Sequence, residues 1–269
     1  MTLATELRDF FTRRRVAARS VVLPYAFPTG GVFGVASIKN ESDRAMVVVG
    51  LNDSSDAVPN DKPELTITVA GRKVVAGADM AAVSSSGGDE SHWRAPIVIG
   101  PGETMTMTAK LAANTITSSY SGVAHAFAVD DEVAADVESV YGEFWASTLR
   151  FSTNGNKADE KIKITAPTRV QAFRIGTGAA NGGDVDFFRL TFDKAEYIQG
   201  DNTLSSTGRL PSSFEALGSE INVWMDAGSK IHGRQQSTGA VDTNLSFIGA
   251  REPRRATRLG GGQRLLLQR

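Results

Sequence analysis

The first segment of the chain has the apolar period of a helix. Four apolar residues recur at a spacing of about 3.6: Leu3, Leu7, Phe10 and Phe11. Thr2 stands before them as an N-cap, and Arg13 to Arg15 follow where the helix dipole favours cations. The pattern predicts a short basic amphipathic helix within residues 1–19. Its apolar stripe fits a membrane surface or, more commonly, a face of the parent domain or of a neighbouring subunit.

From residue 20 onward the period changes to two. Apolar residues alternate with polar ones over 65–69, 105–111, 188–192 and 221–225, as in half-buried strands. Continuous apolar runs, such as 46–49 and 97–99, are typical of strands covered on both faces. Clusters of Gly, Pro, Asn and Asp separate these runs, and no helix-length period intervenes regularly. The fold class predicted is therefore all-β and antiparallel, as a sandwich or barrel.

One helical interruption divides this strand-rich region near its middle. Val133, Val137 and Val140 lie at helical spacing, with acidic residues in the first turn. Two stretches of similar length flank this segment. The predicted organisation is a helix over 1–19, a first β-sandwich over 20–130, a connecting helix over 131–140, a second β-sandwich over 141–250 and a basic tail over 251–269. A single sandwich with an appended domain is the variant of this prediction.

Charge is unevenly distributed along the 269 residues, although the net charge is only −1. Residues 1–19 carry a net +3, residues 250–269 a net +5, and the remainder a net −9. Arginine-rich ends are attracted to phosphate, in lipid headgroups or nucleic acid, while an acidic body is repelled by both. The arginines predicted to face a membrane or nucleic acid are Arg13, Arg14, Arg15, Arg19, Arg254, Arg255 and Arg258. The alternative is that both ends are solvated tails.

Several function classes lack their usual signals in this sequence. There is no cysteine, so disulfides and thiolate metal sites are excluded. The three histidines have no zinc-binding spacing, and neither a G-x-S-x-G elbow nor a P-loop is present. No apolar run approaches the roughly 18 residues that a membrane-spanning helix needs. Glu6 and Asp9 interrupt the apolar stretch that a secretory signal requires, so the chain is expected to be made soluble. We expect no enzyme activity and no catalytic or cofactor-binding residues.

Two acidic loops could hold a hard cation. Asp53 and Asp56 lie in one loop, and Asp184 and Asp186 in the other, with amide side chains nearby. Carboxylate and amide oxygens suit calcium, but neither loop has the complete spacing of a calcium-binding loop. Calcium is therefore a possible ligand, and ordinary turn chemistry is the alternative. The tryptophans Trp93, Trp145 and Trp224 are either core residues or a platform for stacking sugars.

The layout as a whole resembles the double jelly-roll major capsid proteins of bacteriophages with an internal membrane, of the corticovirus and tectivirus type. The resemblance rests on the basic N-terminal helix, the two tandem sandwiches, the helix between them and the basic C-terminal tail. It implies a homotrimer with six upright barrels that forms a pseudo-hexagonal capsomer in an icosahedral shell. The implied partners are other copies of the chain, other virion proteins and an anionic membrane or genome at the basic ends. The implied location is the virion, after synthesis in the host cytoplasm.

Two other classes of function remain open at the level of sequence. A tandem β-sandwich that binds carbohydrate, as an adhesin or phage fibre, predicts that Trp93 or Trp224 is exposed to solvent. A hydrolase on a jelly-roll scaffold requires two opposed carboxylates in a cleft, and no spacing in the sequence indicates such a pair.

Overall fold

The computed structural model describes residues 2–28, 33–53, 64–86, 93–110, 121–177, 185–204 and 220–253. The helices are α1 (Leu3–Arg13), α2 (Met80–Val83) and α3 (Asp131–Tyr141). The strands of the first half are β1 (Arg19–Ala26), β2 (Phe33–Lys39), β3 (Ala45–Asp53), β4 (Glu64–Val69), β5 (Arg72–Asp79), β6 (Ser84–Ser86), β7 (Ile97–Ile99), β8 (Thr104–Lys110) and β9 (Ser121–Val129). The strands of the second half are β10 (Glu143–Asn154), β11 (Lys157–Lys163), β12 (Thr168–Thr177), β13 (Val185–Phe192), β14 (Ala195–Leu204), β15 (Glu220–Met225), β16 (Lys230–Ser237) and β17 (Ala240–Arg251).

The first half of the chain folds into two facing sheets with a defined strand order. One sheet runs β1-β9-β3, with β7 antiparallel to β3 and the short β6 parallel to it. The facing sheet runs β2-β8-β4-β5. When β6 is set aside and the other eight strands are counted from the N-terminus, the orders are 1-8-3-6 and 2-7-4-5. This order is that of a jelly roll, in which two Greek keys wrap around one core.

The second half repeats the same strand order. One sheet runs β10-β17-β12-β15, and the facing sheet runs β11-β16-β13-β14. Counted from β10, these orders are again 1-8-3-6 and 2-7-4-5. The predicted all-β fold with two tandem jelly rolls is therefore confirmed by the topology, and α3 stands between the two units.

Both jelly rolls stand the same way up, and α1 and α3 lie at one end of them. Strand β1 begins where β9 ends, with Arg19 opposite Ala128, and β10 begins where β17 ends, with Glu143 opposite Arg251. Strands β5 and β10 pair in parallel, so they point in the same direction. We call the end that holds α1, α3 and the end of β17 the helical end. The N-terminal helix and the exit toward the C-terminal tail are therefore at the same end.

The two jelly rolls share one continuous sheet. Strand β5 of the first unit pairs with β10 of the second through Ala146 opposite Val75 and Ser147 opposite Ala76. This short pairing joins two four-stranded sheets into one of eight strands, in the order β15-β12-β17-β10-β5-β4-β8-β2. The two units are consequently joined by backbone hydrogen bonds as well as by α3.

Strand β10 is buried on both of its faces because it contributes to two cores. Phe144 and Ala146 belong to the first core, while Trp145, Leu149 and Phe151 belong to the second. The ring of Trp93 stacks on that of Phe144, with 4.0 Å between centroids, and its Nε1 donates to the carbonyl of Val83 at 2.7 Å. The alternation of β10 therefore packs one unit against the other.

An ion triad with the buried Glu143 and Arg251 and the partly buried Arg72 closes this junction at the helical end. Glu143 starts β10, Arg251 ends β17 and Arg72 starts β5, so the triad joins both units. Arg251 Nε donates to Glu143 Oε2 at 2.6 Å, and Arg72 Nη1 donates to Glu143 Oε1. Arg251 Nη2 also donates to the carbonyl of Lys73 at 2.7 Å. The Glu143 side chain is 1% exposed, so its charge is balanced by these arginines and hardly by water.

Gly142 sets the turn from α3 into this junction. Its φ of 76° lies in the left-handed region, and a Cβ there would stand 2.9 Å from the Arg251 carbonyl oxygen. Glycine is therefore the residue that lets the connecting helix end directly beside the triad.

The triad predicts a large effect for substitution of Glu143. Glu143→Gln preserves shape but leaves two arginines at the junction without their counter-charge, so we expect unfolding free energy to fall by about 3–5 kcal/mol. Urea unfolding monitored by tryptophan fluorescence measures this change. Glu41→Gln is the control, since Glu41 pairs with Lys39 at 3.4 Å in an exposed position and should change stability by less than about 1 kcal/mol. Equal, small effects for both variants would show that the triad does not stabilise the junction.

Candidate functional site

The helical end carries the N-terminal arginines that the sequence singles out. Helix α1 begins at the N-cap Thr2, whose side chain accepts a hydrogen bond from the Thr5 amide. Its apolar stripe is buried: Leu3, Leu7 and Phe11 are at most 3% exposed. The Phe11 ring packs against Phe127 of β9 with 5.4 Å between centroids. The stripe therefore packs on the parent domain, which is one of the alternatives left by the sequence.

Helix α1 is also tied to α3. Phe10 packs edge-on against Tyr141 with 6.1 Å between ring centroids, and Arg14 forms an ion pair with Asp136 while lying over the Phe10 ring. Burial of Tyr141, with the nearby charge of Glu6 as a smaller cause, raises the pKa of its hydroxyl above the ordinary value. The two helices thus form one layer at the helical end.

Arg44 joins this layer to the first jelly roll. Its Nη2 donates to the carbonyl of Ala17 at 2.7 Å, and its Nε donates to Asp130 Oδ1 at 3.1 Å. Asp130 is the N-cap position of α3, and Ala17 lies between α1 and β1. One guanidinium therefore fixes both the chain entering the first sandwich and the helix leaving it.

The four N-terminal arginines have different surroundings. Arg13 is exposed and lies 4.0 Å from Asp9, whereas Arg14 is held by Asp136. Arg15 is exposed with a φ of 56°, and Arg19 is exposed at the start of β1. These side chains lie at the helical end, and the structure does not show what they face.

Acidic residues offset the arginines on the described part of the helical end. The exposed acids on or beside the two helices are Asp9, Asp130, Asp131, Glu132 and Asp136. The strongest positive charge in the sequence is that of residues 254–269, which hold five arginines and no acidic residue. Arg254, Arg255 and Arg258 lie outside the described residues. Arg251, which the sequence places in the tail, belongs instead to β17 and is buried in the ion triad.

The candidate calcium ligands are not brought together by the described structure. Asp56 and Asp184 lie outside the described residues. Asp53 ends β3 and Asp186 lies in β13, with only their backbone described. Within the described ranges, no group of three His, Asp or Glu side chains is arranged to hold a metal ion. Calcium binding stays a prediction.

The second jelly roll carries a basic face that was not predicted from the sequence. The exposed face of β11 and β16 carries four lysines and an arginine: Lys157, Lys161, Lys163, Lys230 and Arg234. Asp159 lies among them and accepts hydrogen bonds from Arg234 Nε at 2.8 Å and from His232 at 3.0 Å. The Arg234 hydrogen bond, followed by that of His232, holds the pKa of the Asp159 carboxyl below its usual value. The available signal was that Lys157, Lys161 and Lys163 all fall on one face of a strand with period two. Because β11 ends its sheet, these lysines also discourage pairing with other strands.

The three tryptophans differ in exposure. Trp93 and Trp145 are buried in the first and second core respectively, whereas Trp224 of β15 is 66% exposed. Beside Trp224, Arg169 Nε donates to Asn222 Oδ1 at 2.5 Å. Trp224 is thus a candidate contact residue, with an aromatic face and polar groups next to it. In the part of the chain that the structure describes, no helix is long and apolar enough to cross a membrane.

No protein-family model and no curated protein matches this sequence. The chain is similar in structure to the major capsid protein P2 of bacteriophage PM2, with a TM-score of 0.44 and 11% identity over 88% of this chain and 99% of that one. It is also similar to a chain from the atomic structure of Sulfolobus Turreted Icosahedral Virus, with a TM-score of 0.41 and 11% identity over 86% of this chain and 90% of that one. A third similar structure contains tandem CBM51 modules of a family 98 glycoside hydrolase from Streptococcus pneumoniae, with a TM-score of 0.24 and 10% identity over 84% of this chain and 83% of that one.

The burial of α1 predicts that its stripe contributes to folding stability. Leu7→Ala removes a side chain with no exposed surface, so we expect unfolding free energy to fall by about 2–5 kcal/mol. Thermal and urea unfolding measure the change. Thr12→Ala, an exposed change on the same helix, should have an effect within about 0.5 kcal/mol. If Leu7→Ala left stability unchanged, α1 would be undocked in solution and its stripe would be free to meet a membrane.

Proposed function

We propose that this chain is a structural protein, a major capsid protein whose trimers form pseudo-hexagonal capsomers in an icosahedral shell. The observation that carries the proposal is the arrangement of the two jelly rolls. They stand side by side in the same orientation, share one sheet, and have α1 and the end of β17 at the helical end. Such a unit has one end for the interior of a shell, an opposite end for the exterior and broad sides for its neighbours.

The rigidity of the junction supports this role. A shell relies on many modest contacts between copies, and their geometry is repeated accurately only if each copy is stiff. Here the continuous sheet, the doubly buried β10 and the ion triad restrict movement between the two units. A stiff two-domain block is less useful to a flexible tether or a stalk.

We further propose that the helical end faces a phosphate-bearing layer inside the shell, either membrane headgroups or genome. The support is the position of the tail exit and the charge of residues 254–269. Each arginine close to an anionic lipid surface contributes about 1 kcal/mol of attraction. Because α1 buries its stripe, this attraction is electrostatic and comes chiefly from the tail with Arg13, Arg15 and Arg19.

The solution mass of the purified protein tests the capsomer. One chain has a mass of 28.6 kDa, and we expect light scattering coupled to size exclusion to give three times this value. Electron microscopy of the same sample should show a particle with pseudo-sixfold outline. A chain that stays monomeric at every concentration and ionic strength would overturn the shell proposal.

The charge of the tail is tested separately from assembly. Deletion of residues 254–269 should leave the trimer intact and abolish flotation with anionic vesicles or retention of double-stranded DNA. The loss should be matched by raising salt, since phosphate contacts weaken as salt rises. Binding to vesicles alone identifies lipid, and binding to DNA alone identifies genome. Unchanged binding after deletion would contradict an inward-facing role of the tail.

The exposure of Trp224 favours a second candidate function, the recognition of carbohydrate. Sugars stack on exposed aromatic rings, and Arg169 and Asn222 supply hydrogen-bonding groups beside this one. Titration with common mono- and oligosaccharides, followed by tryptophan fluorescence, tests it. Saturable quenching that disappears in Trp224→Ala would favour the adhesin. No quenching, with a stable trimer, would favour the shell protein.

A further inference from the structure

The junction within the chain joins two different kinds of strand edge. The first unit contributes β5, the last strand of its β2-β8-β4-β5 sheet, and the second contributes β10, the first strand of its β10-β17-β12-β15 sheet. Such a contact is heterologous, because the two surfaces that meet are not the same. When two similar units meet through a heterologous contact, each unit uses one of its two surfaces. The other surface of each unit stays unpaired on the outer side of the pair.

The unused counterparts are β1 and β14. Strands β1 and β10 occupy the same position in the first and second jelly roll. Strands β5 and β14 likewise occupy the same position in the first and second jelly roll. In the described part of the chain, β1 ends its sheet on one side and β14 ends its sheet on one side. The chain therefore carries, on its two outer sides, strand edges equivalent to the two edges that pair at the internal junction.

The strand directions match as well. Strands β5 and β10 both run away from the helical end, which is why they pair in parallel. Strand β1 also runs away from that end, since Arg19 lies opposite Ala128 near the end of β9. So does β14, because Ala195 lies opposite Phe192, which in turn lies opposite Ile231 near the start of β16. Two copies standing the same way up would bring β14 and β1 together in parallel.

The outward face beside β1 carries an exposed apolar residue beyond the part of the face that α1 covers at Phe127. Val22, on this face, is 55% exposed, and its cross-strand partner is His125 of β9. On β10 the comparable outward residues, Phe144 and Ala146, have no exposed surface because the first jelly roll covers them. The same position in the fold is thus buried in the second unit and open in the first.

We propose that the β1 edge and its outward face are the docking surface for the β14 edge of a second copy of this chain. The contact repeats between copies the junction that joins the two jelly rolls within each copy. The inference rests on the proposed assembly of the chain and names the surface through which assembly occurs. Each copy offers β14 on one flank and β1 on the other, and successive contacts form a ring when the rotation between neighbouring copies closes, as a threefold rotation does for a trimer. With three copies, six jelly rolls alternate between internal and external junctions.

The presence of Pro24 in β1 is compatible with this contact. Proline has no backbone N–H, and its place in an edge strand limits unrestricted pairing with other chains. The internal junction needs little pairing, since only two residue pairs connect β5 and β10. A short parallel pairing near Val22 therefore suffices, with the exposed Val22 side chain covered as Ala146 is covered at the internal junction.

Engineered cysteines test the contact directly, because the chain has none of its own. Position 198 of β14 pairs with the buried Leu190, and Val75 of β5 pairs with the buried Ile67. Position 198 is therefore the counterpart on β14 of the residue through which β5 pairs with β10. Paired strands are about 4.7–4.9 Å apart, within the range that a disulfide spans. We expect Val22→Cys with Ile198→Cys to give disulfide-linked dimers and a cyclic trimer on oxidation. Val35→Cys with Ile198→Cys should stay uncrosslinked, since Val35 is 52% exposed on β2, at another sheet edge.

A charge at position 22 gives the second measurement. Val22→Lys should convert the trimer to a monomer that keeps the wild-type circular dichroism spectrum, while Val35→Lys should remain trimeric. A wild-type chain that is monomeric would overturn the proposed function itself. A trimeric wild type with a trimeric Val22→Lys variant and no crosslink between positions 22 and 198 would overturn this docking surface alone.

Discussion

Strand β10 is the constraint on which the arrangement of the two jelly rolls depends. It is the first strand of the second unit and is also covered by the first unit, so its odd and even residues serve different cores. A strand with two apolar faces cannot be exposed without loss of about 1.5–3 kcal/mol for each large side chain. Neither unit can therefore move away from the other without exposing Phe144 or the residues packed on it. The fixed relation between the units follows from this double burial.

The ion triad adds interactions of defined geometry to an otherwise apolar junction. Apolar packing alone tolerates small shifts in register, whereas a carboxylate that accepts hydrogen bonds from two arginines requires both in one geometry. Arg72, Glu143 and Arg251 each stand at the helical-end terminus of a strand, so the three strand ends are held level. Buried ion pairs add little net stability, and their best-attested use is to fix register. The junction requires a fixed register between β5, β10 and β17.

Local patterns in the sequence predicted the elements but not their junction. The stripe of α1 and the alternation of β4 and β8 were readable because each element buries one regular face. The apolar run 144–146 carried the signal of a strand covered on both faces, but a sequence run does not say which second surface covers it. The triad could not be predicted because Arg72, Glu143 and Arg251 are far apart in the sequence, and no sequence spacing relates them. For the same reason Arg251 appeared to belong to the tail, since arginines that follow it continue the charge pattern without a break.

The burial of α1 changes how the helical end would meet an inner layer. An amphipathic helix that inserts its apolar face binds with a strength set by buried area, and salt affects it little. Here the apolar face of α1 is buried against the first jelly roll. The described surface of the helical end has acidic residues beside its arginines. Attraction to phosphate then depends on residues 254–269, whose charges act over about one Debye length, roughly 8 Å at physiological ionic strength. Such contacts are weak for one copy and become strong only when many copies present their tails to the same surface. Under the proposed function, binding to a phosphate-bearing layer would therefore strengthen with assembly, because a trimer presents three tails and a shell presents many.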